Sequence, residues 1–266
     1  MYDITSQPWS AGSASIAEAW NTYKEQMGTW IIMYIAIIGI NMFCSLIPYV
    51  GTLLSSFSGI ILGGIFVGVI HNYVAHQKVF SSELISEIVD EHINALVKLG
   101  ALSVGFWFLF NFGFLFAIGG IFISAVGFGF LEEVMNSSSP DEISRLFENL
   151  LLDETVAIIL LSTVFFAISV GLIIAVLYFM TFVFAPYLII VKKEDVIRAL
   201  TMSFTASQQN LWSLTSISLW WFLLSFIGVI TCCVGILATG PIITISTYFL
   251  ANKIFTNSNT ISLDKE

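Results

Sequence analysis

The side chains able to carry acid–base, metal or nucleophilic chemistry are few, and their spacing limits what each could do. His71 and His76 stand five residues apart at the end of an apolar run. One helical turn brings residues three or four apart together, so the pair reads as interfacial histidines and not as metal ligands. His92 follows Asp90 and Glu91 on the polar face of a helix, as a solvated cluster would. Glu132, Glu133, Asp141, Glu142, Glu148, Asp153 and Glu154 form an acidic stretch that reads as a solvated face, weak divalent-cation binding being its alternative. Cys44, Cys232 and Cys233 are an odd set without metal-ligand spacing, so they read as small apolar residues in or beside membrane spans. One disulfide to Cys44 stays open. There is no His-Glu-x-x-His, no Gly-x-Ser-x-Gly and no glycine-rich loop ending in Lys-Ser or Lys-Thr. The expectation is no enzyme, no cofactor and no metal site.

The elements that must position these groups are set by hydropathy. Of 266 residues, 57% are apolar and only 10% charged, too few polar groups to coat a globule in water. Asp, Glu, Lys, Arg and His are all absent from 26–70, 99–131, 155–191 and 199–252. Each stretch exceeds the roughly 20 residues that cross a hydrocarbon core about 30 Å thick. A charge at mid-membrane costs about 2.5–3.5 kcal/mol, which explains the gaps if lipid is the solvent. The net charge of −9 argues against nucleic acid as a partner, and nine Lys and Arg make no polybasic segment for anionic lipid. No removable signal peptide is read at the amino terminus, so the first span is expected to be retained.

The first and last gaps each hold a helical hairpin, turning at Pro48-Tyr49-Val50-Gly51 and at Thr231-Cys232-Cys233-Val234-Gly235. The two middle gaps hold one span each, with surplus length taken up by tilt or by interfacial segments. The prediction is an all-α polytopic bundle of six spans, about 30–47, 53–75, 99–121, 160–184, 211–231 and 234–253, in a single membrane domain with an external loop at 131–154. With the amino terminus inside, Lys24, Lys78, Lys98, Lys192, Lys193, Arg198, Lys253 and Lys265 are cytoplasmic and only Arg145 is external. That bias places both termini in the cytoplasm.

Amphipathic helices are expected before the spans, lying in the interface. Ser15 and Glu18 form a capping box ahead of the stripe Ile16, Trp20, Tyr23, Met27 and Trp30. Leu84, Ile85, Ile88, Val89, Ile93, Leu96 and Val97 make a second stripe, opposed by Glu83, Glu87, Asp90 and Glu91. Asp195 caps a third through Val196, Ile197, Leu200 and Phe204. A fourth starts at Ser139-Pro140 with Ile143, Leu146, Phe147, Leu150 and Leu151 on one face. Interfacial helix plus two spans then occurs twice, at 16–80 and 195–255, and Tyr73, Lys78 and Phe80 align with Tyr248, Lys253 and Phe255. Such copies are parallel, unlike the opposed halves of many transporters.

Within the spans, Gly59 with Gly63 and Gly64 with Gly68 give two interleaved small-residue spacings, which suit close packing inside the bundle or a homodimer face. Pro48, Pro186 and Pro241 are the candidate helix breakers. Asn41 and Asn111 are polar groups at membrane depth, read as interhelical hydrogen-bond partners.

Phe184-Ala185-Pro186, then Ala199, Ser203-Phe204, Asn210 and Gly240-Pro241 before Tyr248, resemble a family of uncharacterised bacterial inner-membrane proteins. That family looks related to the membrane domain fused to some glycerophosphodiester phosphodiesterases. Ala19-Trp20, Tyr23, Trp30, Leu46 to Gly51 and Gly63-Gly64 fit the same pattern, while Ala19-Trp20 and Met27-Gly28 stand where members often have Gly-Trp and Pro. The resemblance covers most of the chain outside 131–154. It implies a six-span protein of the bacterial inner membrane and carries over no catalytic residue. The functional expectation is a scaffold or accessory subunit of a membrane assembly, with lipids and a protein partner or second copy as its contacts. A lipid- or small-solute-handling transporter is the other reading.

Overall fold

The computed structural model describes residues 4–47, 50–78, 80–137, 139–141, 144, 154–230 and 234–255. Side chains are described in these segments except at 111, 115, 117, 121–133, 154–157, 159, 160 and 234. Among the described residues the secondary structure is helical: α1 Ser10–Glu25, α2 Met27–Ser45, α3 Gly51–His76, α4 Ser82–Asn136, α5 Glu154–Phe182, α6 Ala185–Ile190, α7 Val196–Gln209, α8 Leu211–Ile230 and α9 Val234–Ile254. Six segments are long and apolar enough to cross a membrane: α2, α3, the first 39 residues of α4, Leu161–Ile190, α8 and most of α9. The chain packs as two compact units, 1–104 with 179–266, and 105–178.

In the first unit α9 is the central helix. Half of its apolar window is buried, against 11% for α2, and it packs on α1, α2, α3 and α8. Tyr23, Trp30, Phe66, Leu188, Ile217 and Ile245 are among the side chains sealed there. In the second unit large apolar groups such as Leu109, Phe116, Leu161 and Phe165 are more than 70% exposed, as lipid-facing side chains are.

Two helix triplets share one plan. α1, α2 and α3 follow the same order as α7, α8 and α9: a helix of 16 or 14 residues, a one-residue break, then two spans. The breaks have similar backbone angles, φ −136° and ψ 40° at Gln26 and φ −118° and ψ 28° at Asn210. Asp195 caps α7 as its position suggested, its carboxylate accepting from Ile197 N at 3.2 Å.

The capping box at Ser15 is not formed. α1 begins five residues earlier, and Ser15, fully buried, donates its hydroxyl to Ala11 O. The reason lies outside the local sequence: residues 5–8 are pinned to the other triplet. Thr5 N donates to Ile254 O, Gln7 N to Asn210 Oδ1 at 2.7 Å, and Ser213 Oγ to the carbonyls of Gln7 and Pro8. That anchorage starts the helix at Ser10. Glu18 instead pairs with Lys253 at 2.8 Å.

Two stripes are rotated from their predicted phase. On α1 the buried face is Ala11, Gly12, Ser15, Ala19, Thr22 and Tyr23, while Trp20 is exposed; beyond the break at Gln26, on α2, Met27 is exposed and Trp30 buried. On α7 it is Val196, Ala199, Ser203, Ala206 and Ser207, with Ile197 exposed. Small residues let backbones approach, and lipid does not penalise large apolar side chains that face outward. The stripe on α4 keeps its phase at Leu84, Ile88 and Leu96, but its helix is continuous with the following span and runs on to Asn136, past 131, where the sequence predicts the start of a loop. The proposed helix after Pro140 falls mostly outside the described residues.

Candidate functional site

Polar groups at membrane depth divide between bonds inside their own helix, such as those of Ser162, Ser169 and Thr215 to the carbonyl four residues back, and bonds that tie one helix to another. Asn41 Oδ1 accepts from Ser58 Oγ at 2.6 Å, joining α2 to α3 as expected; the Asn111 side chain lies outside those described. Ser203 Oγ donates to Met180 O and accepts from Phe184 N, and Ser207 Oγ donates to the same carbonyl at 3.0 Å, clamping α7 to the chain around the α5–α6 break. Tyr187 Oη donates to Asn252 Oδ1, and Trp221 Nε1 to Ser246 Oγ.

The four glycines separate. A Cβ on Gly64 would strike Leu96 and one on Gly68 would lie 2.9 Å from Ile88, so this pair receives α4. Gly63 has open space around it, and Gly59 meets only Asn41 Oδ1 at 3.8 Å. They do not form the second packed pair, because residues one position off the contact line point past the neighbouring helix.

Pro186 does interrupt the chain, sitting in the first turn of α6 where its missing N–H costs no bond. Pro241 does not break α9, which runs through it. The preceding Gly240 is closed on by the Tyr34 ring, and one lost ladder bond is tolerated in a packed span. Pro48 lies outside the described residues, but Gly51 beside it has its Cβ position filled by Ser45 O at 2.6 Å, so the turn needs glycine there. Cys44 forms no disulfide among the described residues; Cys232 and Cys233, and with them the bridge left open by the sequence, fall outside those residues.

The sequence treated the histidines as two unrelated groups, whereas the fold brings all three around one polar cavity of about 350 Å3. The end of α3 contributes His71, Asn72 and His76, the start of α4 contributes Glu87, Ile88, Glu91 and His92, and the chain leaving α6 contributes Ile190, Val191 and Lys193. Lys78 lines it from the α3–α4 connection. His71 Nδ1 is 3.0 Å from Tyr248 Oη, and the rings of His71 and His76 meet edge-on at 5.8 Å. Lys193 Nζ donates to Glu91 at 2.6 Å, Glu91 is 3.6 Å from His92 Nε2, and Lys78 lies 3.7 Å from Glu87.

Both turns flanking the cavity are in the left-handed region, Gln77 at φ 52° and Lys193 at φ 53°. Such a conformation costs a residue other than glycine about 1–2 kcal/mol. Hydrogen bonds hold each turn: Gln77 N to Tyr73 O, Lys78 N to Asn72 O and Glu194 N to Leu188 O. They aim Lys78 and Lys193 toward α4, where Glu87 and Glu91, one turn apart, share a face. Lys192, next in the chain, is partly buried, and that desolvation lowers its pKa. His71 and His76 lie where an apolar run gives way to a charged segment and His92 lies within that segment, which is visible in the sequence. Their convergence was not.

These features define the class: an all-α, multi-pass membrane protein whose ion pairs and polar cavity gather where the apolar spans end. No protein-family model matches the chain, and neither a curated protein nor a solved structure does.

Proposed function

We propose that this chain is a non-enzymatic scaffold or accessory subunit of a membrane assembly, seated in a bacterial inner membrane with both termini in the cytoplasm. α1 and α7 then lie at the cytoplasmic interface ahead of their spans. The observation that carries the reading is how the interior polar groups are used. Among the described residues every buried side-chain nitrogen or oxygen has a hydrogen-bond partner. Those of Asn210, Ser213, Ser203 and Ser207 tie separate segments together, as struts of a fixed frame do. The grouping of Lys24, Lys78, Lys193, Arg198 and Lys253 supports the orientation through the positive-inside rule, and the family resemblance supports the bacterial inner membrane.

The test is purification from native membranes in mild detergent. A protein recovered in stoichiometric amount, and again when the partner carries the tag, supports the scaffold. Vesicles holding the purified chain that move lipid or solute above protein-free vesicles overturn it in favour of a carrier, the reading that the polar cavity favours.

A further inference from the structure

We infer that the cavity between the end of α3, the start of α4 and the α6–α7 turn binds a zwitterionic phosphoester headgroup bearing a primary ammonium. The charges that line it come as two lysines and two glutamates. Lys193 holds Glu91 at 2.6 Å and Lys78 faces Glu87 at 3.7 Å. A ligand with one phosphate and one ammonium can enter by exchanging partners, the phosphate taking the lysines and the ammonium taking the carboxylates, with no change in net charge. Both lysine side chains are more than half exposed, so they can swing to a new partner at small cost. His71 and His76 add ring N–H groups on the same wall.

The depth is right for a lipid. His76 ends α3, Lys192 ends the uncharged run 155–191, and Lys98 precedes the run 99–131. The cavity therefore sits at headgroup level, with Ile88, Ile190 and Val191 as an apolar wall on which the glycerol end can rest. Strained backbone at Gln77 and Lys193 on either side fits a preorganised binding site. The inference holds whether the chain acts as scaffold or carrier.

Native mass spectrometry of the full chain, delipidated and offered equal amounts of phosphatidylethanolamine, phosphatidylcholine and phosphatidylglycerol, tests it. Phosphatidylethanolamine is expected to be retained preferentially, since a trimethylammonium has no proton to give the carboxylates and glycerol has no charge. Lys78→Gln with Lys193→Gln should weaken that retention by roughly tenfold, and Lys24→Gln, on α1 over the Trp20 ring and not among the lining residues, should leave it unchanged. Both lysines are exposed, and unaltered circular dichroism confirms the fold. Soluble glycerophosphoethanolamine, the same phosphodiester without acyl chains, added as competitor separates the sources: displacement of the lipid at comparable concentration assigns the site to a free phosphoester, and failure to displace assigns it to the lipid. Equal retention of all three lipids, or retention indifferent to the lysine substitutions, overturns the inference.

Discussion

Replacing Gly12 with alanine should destabilise the protein by about 1–3 kcal/mol, the range for overpacking a tight contact. A Cβ there lies 2.8 Å from Ser213 O, Ile217 N and Ser216 Cβ. Two of those atoms are backbone, so no rotamer change relieves the overlap. α1 and α8 must separate by roughly 0.7 Å to restore a 3.5 Å contact. That movement also stretches the 2.8 Å bonds from Ser213 Oγ to the carbonyls of Gln7 and Pro8, each worth about 1 kcal/mol. Against this, alanine gains at most about 1 kcal/mol of helix propensity over glycine. Gly28→Ala is the matched control, because nothing lies within 4 Å of its Cβ position and only the propensity gain remains. Thermal unfolding in detergent, followed by circular dichroism, should rank Gly28→Ala at or above the unaltered chain and Gly12→Ala below it. If Gly12→Ala unfolds at the same temperature as Gly28→Ala, the close α1–α8 approach is wrong.

Gly64→Leu should lose about 1–3 kcal/mol because it meets Leu96. Gly63→Leu, facing open space, should stay within about 0.5 kcal/mol; equal losses in a denaturation series would contradict the assignment. Ser203→Ala leaves Phe184 N without its acceptor and Met180 O with only Ser207, and should cost about 1–3 kcal/mol; an unchanged melting temperature would show the α7 clamp to be idle. Asn210→Ala removes the acceptor of Gln7 N and should release residues 4–9, read as faster protease cleavage within the first ten residues with the spans intact.

The class of protein and the number of spans were written in the sequence because the cost of a charge in hydrocarbon acts on each segment by itself. Uncharged runs of 45, 33, 37 and 54 residues leave little choice about what surrounds them. Local signals that depend only on neighbours also came through, such as the Asp195 cap, the turn at Gly51 and the helix break before Pro186. What the tertiary structure decided is which face of a helix turns inward. In water a stripe of large apolar residues finds the core, but lipid accepts Trp20, Met27 and Ile197 on the outside while Gly12, Ser15, Ala199 and Ser203 take the tight inner positions. The same holds for the start of α1, fixed at Ser10 by bonds reaching more than two hundred residues along the chain. It holds too for the cavity, whose histidines, lysines and glutamates come from three separate parts of the sequence and meet only because α3, α4 and the turn after α6 end at one level.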